Sequence, residues 1–312
     1  MFLAAFGLTA DPFLDTADPA FYHETPAAMQ RRQRLSDCLT AGRGLAVVVG
    51  PIGAGKTALL NAVASDMIAA GFGRVGLILD PTFATEEELL TAAARALGLN
   101  RPSGDSRRDY RESFKRSLFD SAGNRQEQAV LLIDEAQLLD ERLLETLRSL
   151  LNYALDDRKL LSIALAGQPE LSDAILRHRN FADRVALWLE LKALTVTEAG
   201  ELVSHRLRCA GFGGPVSPFE DDAVVALSIK SGGLPRRLTT LAREAMESAA
   251  ERAAASVSLL DVEVAAQRIA PQDINAAGSD SLSRASGSGA LSRASSPKSL
   301  GERLRAWWRA AS

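Results

Sequence analysis

The residues from Gly50 to Thr57 are the first part of this chain for which the sequence predicts chemistry. They match the pattern G-x-x-x-x-G-K-[ST], with Lys56 and Thr57 in the last two places. In a P-loop of this pattern, backbone N–H groups turn inward around phosphates, the lysine contacts the β- and γ-phosphates, and the final hydroxyl binds Mg²⁺. The segment therefore predicts a site for ATP and Mg²⁺. The predicted nucleotide-binding residues are Gly50, Pro51, Ile52, Gly53, Ala54, Gly55, Lys56, Thr57 and Ala58.

The sequence on either side predicts the elements that hold this loop in place. Residues 45–49 form an apolar run of the length of a buried strand, and residues 58–64 have a helix-forming composition. The loop would then lie at a helix N-terminus, where the helix dipole favours bound anions.

A second group of candidate catalytic residues follows another apolar run, residues 129–133, which ends in Asp134 and Glu135. The carboxyl ends of parallel strands share the sheet edge at which ligands bind. There Asp134 would hold Mg²⁺, directly or through water, and Glu135 would polarise the attacking water as general base. An Asp-Glu pair after a strand is also often a helix cap, but a P-loop upstream in the same chain favours the catalytic interpretation.

Four further segments, taken together with the P-loop, are more specific than the P-loop alone. Residues 6–13 read F-G-L-x-x-x-P-F, residues 18–22 read D-P-x-F-Y, residues 134–137 read D-E-A-Q and residues 167–171 read G-Q-P-E-L. Over residues 6–270 this combination resembles the ExeA/GspA-type AAA+ ATPases of bacterial type II secretion. The resemblance implies a nucleotide-driven homo-oligomer.

The resemblance also implies the fold, which is of the α/β class: a P-loop AAA+ parallel sheet sandwiched by helices, with a C-terminal all-helical lid domain. Alternating strand and helix patterns after the P-loop agree with a parallel sheet. Two capping boxes, at residues 195–198 and 217–220, predict the starts of two lid helices. The predicted segments are an N-terminal strap and helix (1–44), the nucleotide-binding domain (45–192), the lid (193–271), a flexible Ser/Gly/Ala linker (272–299) and an amphipathic C-terminal helix (300–312).

By the same resemblance, two polar residues beyond the P-loop are catalytic candidates. Gln168 follows a predicted strand at residues 160–166, where a sensor 1 residue would lie, although it could also be an ordinary turn glutamine. Arg184 precedes the closing strand, as an arginine finger that reaches the γ-phosphate in a neighbouring subunit would do. Arg177 and Arg179 are alternatives for the finger.

A third candidate, Arg236, belongs to the lid. It ends a Gly-Leu-Pro-Arg segment that resembles the G-x-P-R of sensor 2, so it would contact the phosphates from the lid. Arg237 is the second choice, and a solvent-facing arginine pair is the alternative.

The aromatic N-terminal strap allows two interpretations. Its Phe and Tyr residues, separated by Asp-Pro turns, could cover the adenine ring or could simply pack against the core.

Composition limits the class of protein without identifying a partner. The chain has 312 residues, 46% of them hydrophobic, a net charge of −3 and two cysteines that form no C-x-x-C pair. The apolar start has no basic region before it, and no run reaches the roughly 18 to 20 apolar residues of a membrane span, so a cytoplasmic protein is expected.

The C-terminal segment, residues 300–312, predicts contact with another surface. On a helix, the span Leu300–Trp308 gathers two leucines and two tryptophans on one side, and residues 298–309 carry a net charge of +3. Such a segment suits peripheral contact with the inner membrane or a groove on a protein.

Two functions are compatible with this sequence. The resemblance favours an ATPase that assembles or remodels a bacterial envelope or secretion machine. The alternative is a DNA-associated AAA+ regulator of transposition, resembling the TniB or IstB kind. The acidic net charge disfavours DNA, and the basic residues between 101 and 117 alternate with acidic ones in the manner of a solvated helix face.

Overall fold

The structure of the chain is a computed structural model, and it describes residues 2–14, 21, 23–125, 128–155 and 159–269. The described residues form two compact units. Of these residues, the first unit takes in those of 2–25, 52–55 and 192–269, and the second takes in those of 26–51 and 56–191. The predicted linker and C-terminal helix, as well as most of the D-P-x-F-Y segment, lie outside the described residues.

The second unit is built on a parallel sheet. Its strands are β1 (Leu45–Val49), β2 (Arg74–Ile78), β3 (Ala129–Ile133), β4 (Leu161–Gly167) and β5 (Val185–Glu190). They are ordered β2-β3-β4-β1-β5, and every neighbouring pair is parallel. Every residue of β1, β3 and β4 is buried, as expected for parallel strands that are covered on both faces. The order places β1, which leads into the P-loop, beside β4 and one strand away from β3.

The helices of this unit alternate with the strands. They are α2 (Pro26–Thr40), α3 (Lys56–Ala69), α4 (Glu86–Ala96), α5 (Arg107–Arg125), α6 (Glu141–Leu150), α7 (Pro169–Leu176) and α8 (Arg179–Ala182). Thr85 caps α4 by accepting a hydrogen bond from Glu88 N, and Asp140 caps α6 by accepting one from Leu143 N. Leu147 of α6 and Phe114 of α5 are fully buried in the same core as the strands. The α/β class predicted from the sequence is confirmed.

Four long helices form most of the first unit. They are α9 (Val196–Cys209), α10 (Asp221–Ser231), α11 (Pro235–Glu251) and α12 (Leu259–Arg268). The capping box that begins α9 is present, since Thr195 and Glu198 exchange side-chain to backbone hydrogen bonds. All-helical packing in this part of the chain agrees with the predicted lid.

The second predicted capping box, at residues 217–220, is wrong. Helix α10 begins only at Asp221, and its N-cap, Glu220, makes no side-chain capping bond. The preceding backbone instead pairs with a distant segment: Val257 N donates to Pro218 O at 2.7 Å, and Glu220 N donates to Val257 O at 3.0 Å. These bonds hold residues 218–220 extended, so the helix cannot start at Ser217.

The N-terminal strap belongs to the lid unit rather than forming one segment with α2. After the short helix α1 (Phe2–Ala5), Thr9 donates to Ala210 O through both its backbone N and its hydroxyl, at 2.9 Å each. Four apolar side chains of the strap are buried in the lid core: Phe2, Phe6, Leu8 and Phe13. For these residues the structure shows packing in the lid core, and a cover for the adenine ring stays a prediction. The predicted segment 1–44 is therefore divided, with residues from 26 onward in the sheet unit.

An ion pair between the exposed Arg252 and the buried carboxylate of Asp261 stabilises the lid. Asp261 is 1% exposed, and it accepts hydrogen bonds from Arg252 Nε at 2.8 Å and from Ser258 N at 2.8 Å. Burial alone would raise the pKa of Asp261, but the bonds from Arg252 and Ser258 hold the pKa well below its usual range. The carboxylate therefore adds stability at pH values above its unfolded pKa, and this contribution is lost as the pH falls through the folded pKa.

We expect Asp261→Asn to lower the free energy of unfolding of the lid by about 2 kcal/mol at pH 7, because hydrogen bonds to a buried charge are lost. Urea unfolding followed by circular dichroism measures this difference, which should shrink as the pH falls below 4, near the unfolded pKa of about 3.9. Glu251→Gln is the matched control, since Glu251 pairs with Arg268 at 2.6 Å on the surface and should contribute little. Equal losses in the two variants would contradict a special role for the buried Asp261 carboxylate.

Candidate nucleotide-binding site

The P-loop joins β1 directly to α3. Gly53 has φ +80° and Gly55 has φ +92°, in the left-handed region that glycine adopts at little cost. Helix α3 begins at Lys56, so Thr57 and Ala58 lie in its first turn. The predicted strand, loop and helix are thus found in the expected order, and the loop lies at a helix N-terminus.

Lys56 is folded back against this loop. Its side chain is buried, and Nζ donates to Gly50 O at 3.0 Å and to Pro51 O at 3.1 Å. Burial lowers the pKa of Lys56 below its usual value, and the carboxylates of Glu135, Asp134 and Glu170 oppose that change, Glu135 most strongly. The ammonium group is therefore held against the first residues of the loop, and its contact with the β- and γ-phosphates stays a prediction.

Thr57 and Asp134 are 77 residues apart in sequence and in direct contact in the structure. The Thr57 hydroxyl donates to Asp134 Oδ2, and the other carboxylate oxygen of Asp134 accepts from Glu135 N at 2.9 Å. Asp134 is 2% exposed, whereas Thr57 is exposed. A hydroxyl and a carboxylate side by side are the hard oxygen donors that Mg²⁺ prefers, so the residues present fit the metal predicted from the sequence.

Glu135 follows β3 in an unusual backbone conformation. Its φ of +48° lies in the left-handed region, which is uncommon for a residue other than glycine and concentrates at functional sites. It precedes a single 3₁₀ turn, Ala136–Leu138. The side chain is half-buried and accepts a hydrogen bond from Gln137 Nε2 at 2.5 Å. The hydrogen bond from Gln137 thus holds the carboxylate of Glu135.

Gln168 lies at the carboxyl end of β4, between the strands that carry the P-loop and Asp134. It is the N-cap of α7, but its side chain makes no capping hydrogen bond. Its backbone N donates to Gln137 Oε1 at 3.0 Å. The part of Gln168 that contacts the site here is its main chain, and a sensor role for its side chain stays a prediction. In the sequence, Gln137 is only the last residue of the D-E-A-Q motif, and no local pattern predicts its contacts with Glu135 and Gln168.

The three arginines considered for the finger lie around α8. Arg184 follows this helix in the turn before β5 and is exposed; among the described residues, no ion pair includes it. Arg177 is also exposed, and Arg179 begins α8. An exposed cation beside the sheet suits a group that acts on a neighbouring subunit, and the choice among the three stays a prediction.

Arg236 lies next to the P-loop glycine that belongs to the lid unit. Its backbone N donates to Gly53 O at 3.4 Å, and a Cβ added to Gly53 would lie 3.0 Å from Arg236 Cβ. Position 53 therefore favours glycine for two reasons: the left-handed backbone conformation and the lack of space for a side chain. The sensor 2 role predicted for Arg236 stays a prediction.

Comparison with known proteins defines the class. Residues 39–175 match a family described as an AAA domain. The fold is similar to that of Cdc6p from Pyrobaculum aerophilum (TM-score 0.63, 17% identity, 81% of this chain and 71% of that chain). It is also similar to the ORC2 protein of Aeropyrum pernix in ADPNP–ADP complexes (TM-score 0.61, 17% identity, 85% and 74%). At these identities the likeness concerns the fold alone, which is a P-loop AAA fold with helices in the C-terminal part.

The chain is also similar to one curated protein. The chain is 28% identical over 273 residues to General secretion pathway protein A of Aeromonas hydrophila, covering 86% of this chain and 48% of that protein. The resemblance to the ExeA/GspA-type AAA+ ATPases is therefore confirmed. The chain spans about half the length of this relative.

Proposed function

We propose that this chain binds ATP with Mg²⁺ and hydrolyses it. The observation that carries the proposal is the contact between the Thr57 hydroxyl and the buried Asp134 carboxylate, beside the Lys56 ammonium. When bound, Mg²⁺ neutralises charge that develops on the phosphates. Thr57 and Asp134 hold it, Lys56 offers positive charge to the β- and γ-phosphates, and Glu135 takes a proton from the attacking water.

Hydrolysis is proposed to need more than one copy of the chain. Arg184 reaches the γ-phosphate of a neighbouring subunit, with Arg177 and Arg179 as alternatives, and supplies charge to the transition state there. Gln168 and Arg236 report the state of the γ-phosphate from the sheet and from the lid. The working form is accordingly a homo-oligomer with ATP at its subunit interfaces.

Purified protein tests the activity. Phosphate release from ATP should depend on Mg²⁺, cease on addition of EDTA and return when Mg²⁺ is restored. Release that is the same with EDTA would contradict a Mg²⁺-dependent P-loop mechanism.

The driven partner is proposed to be part of a bacterial envelope or secretion machine. The similarity to General secretion pathway protein A supports this assignment. The basic face of α5 does not favour DNA instead, because Arg107 and Arg111 pair with Glu87 and Glu86. Pull-down of a Glu135→Gln variant, in which bound ATP would persist, identifies the partner; recovery of DNA without envelope proteins would contradict the assignment.

The protein is proposed to work in the cytoplasm with peripheral contact at the inner membrane. Among the described residues, none of the helices combines the length and the apolar character that crossing a bilayer requires. Contact is instead assigned to Leu300–Trp308, which lies outside the described residues and is basic and amphipathic in sequence.

We expect the full chain to sediment with anionic vesicles at low salt and to be released at high salt, because each basic residue near such a surface contributes about 1 kcal/mol. The double variant Trp307→Ala/Trp308→Ala should remain in the supernatant. Vesicles of neutral lipid serve as the control. Wild-type protein that stays in the supernatant over anionic vesicles at low salt would contradict membrane contact.

A further inference from the structure

Gln137 uses both ends of its side-chain amide inside the candidate site. Nε2 donates to Glu135 Oε2 at 2.5 Å, and Oε1 accepts from Gln168 N at 3.0 Å. One side chain therefore connects the proposed general base to the main chain at the end of the neighbouring strand, β4. The P-loop chemistry described above does not use this residue.

The backbone brings Gln137 into this position. The left-handed conformation of Glu135 starts the 3₁₀ turn, which is closed by a hydrogen bond from Leu138 N to Glu135 O at 2.9 Å. This turn returns the Gln137 side chain towards Glu135. Across from it, a Cβ on Gly167 would lie 2.7 Å from Gln137 Oε1, so only glycine leaves room for the amide. The position of the Gln137 amide therefore depends on residues at the ends of both β3 and β4.

The two bonds fix the orientation of the amide. A backbone N–H can only donate, so the end of Gln137 that faces Gln168 must be the oxygen, and the end that faces Glu135 must be the NH₂ donor. A carboxylate that accepts this bond has one oxygen held and the other available.

We propose that Gln137 is a positioning residue that holds Glu135 in the orientation needed to take a proton from water, and that it ties this orientation to the end of β4. The proposal rests on the proposed hydrolytic function of Glu135. General-base catalysis depends on hydrogen-bond geometry, and a displacement of about 1 Å can lower a rate by about 10²-fold. A shift of β4 or of the start of α7 would therefore change the orientation of the Glu135 carboxylate through the Gln137 side chain.

Gln137→Glu is the sharpest test. It keeps the shape of the side chain and the oxygen that accepts from Gln168 N, but replaces the donor to Glu135 with a second carboxylate oxygen. We expect kcat to fall by about 10²-fold, with KM and the Kd for ATP within about twofold of wild type, because the interaction matters for the transition state and not for binding. Gln137→Ala should also lower kcat, and thermal unfolding of each variant shows whether it is folded. Leu138→Ala, at the exposed neighbouring position, is the control and should match wild type.

A double variant separates positioning from a general structural effect. If Gln137 acts through Glu135, adding Gln137→Glu to Glu135→Gln should lower the residual rate no further. Wild-type kcat in both folded Gln137 variants, or a full additional loss in the double variant, would overturn the role of Gln137 and leave the proposed ATP hydrolysis standing. A wild-type chain without Mg²⁺-dependent phosphate release would overturn the proposed function and this role with it.

Discussion

Replacement of Glu135 by glutamine should lower ATP turnover by about 10³-fold while ATP still binds, because the amide cannot accept the proton of the attacking water. The substitution keeps the shape of the side chain and leaves Lys56, Thr57 and Asp134 in place. Stopped turnover with intact binding is the result expected of a general base. Steady-state phosphate release, together with binding of a fluorescent ATP analogue, measures the two properties in one preparation.

The contrary result for Glu135 is equally specific. If Glu135→Gln bound ATP far more weakly than wild type, the carboxylate would be needed to shape the loop, for example through its electrostatic effect on Lys56. If turnover were unchanged, another group would be the base. Asp140→Asn is a control, since Asp140 is an acidic residue whose carboxylate caps α6 instead of facing Lys56, and turnover should be close to wild type.

Replacement of Arg184 by alanine should also lower turnover by about 10³-fold, while each isolated subunit keeps its affinity for ATP. The reason is that a finger acts on the neighbouring subunit and mainly in the transition state. Turnover is measured at concentrations where the wild type is oligomeric, and affinity is measured on dilute subunits. Unchanged turnover would exclude Arg184 as the finger.

Mixed oligomers test the action of Arg184 across subunits. Arg184→Ala subunits keep Glu135, and Glu135→Gln subunits keep Arg184, so some interfaces in a mixture contain both groups and should regain activity. The same mixing with Arg177→Ala and Arg179→Ala shows which of the three arginines is the finger. Absence of rescue for all three, combined with weakened ATP binding in isolated subunits, would assign them structural roles.

The strands were predicted well from the sequence where a buried apolar run ends at a residue that stops the strand. Strands β1 and β3 were predicted to the residue, because each is a wholly buried apolar run that ends at a residue unsuited to continue it, Gly50 or Asp134. Strand β2 ends at Ile78 although the next residue, Leu79, is also apolar; Leu79 is 53% exposed beyond the sheet. Hydrophobic pattern alone does not mark that change.

The predictions that failed or fell short depend on contacts between distant parts of the chain. The pattern at residues 217–220 satisfies a local capping rule, but the bonds to Val257 decide where α10 begins. Gln137 could not be assigned a role from sequence because its oxygen binds a backbone N–H 31 residues away. Phe6 and Phe13 likewise pack in the lid core against residues that are about 200 positions later in the sequence. Local patterns predict elements, whereas these contacts depend on the assembled fold.

The measurement that tests the central claim most directly is the affinity for ATP of three proteins in parallel: wild type, Lys56→Ala and Glu135→Gln. Charge offered to the phosphates and activation of water are separate tasks here, performed by different residues. We therefore expect Lys56→Ala to bind ATP at least about 10²-fold more weakly, as expected when a charged hydrogen bond of about 3 kcal/mol is lost, and Glu135→Gln to bind as wild type does. Equal loss of ATP affinity in the two variants would contradict the assignment of this site.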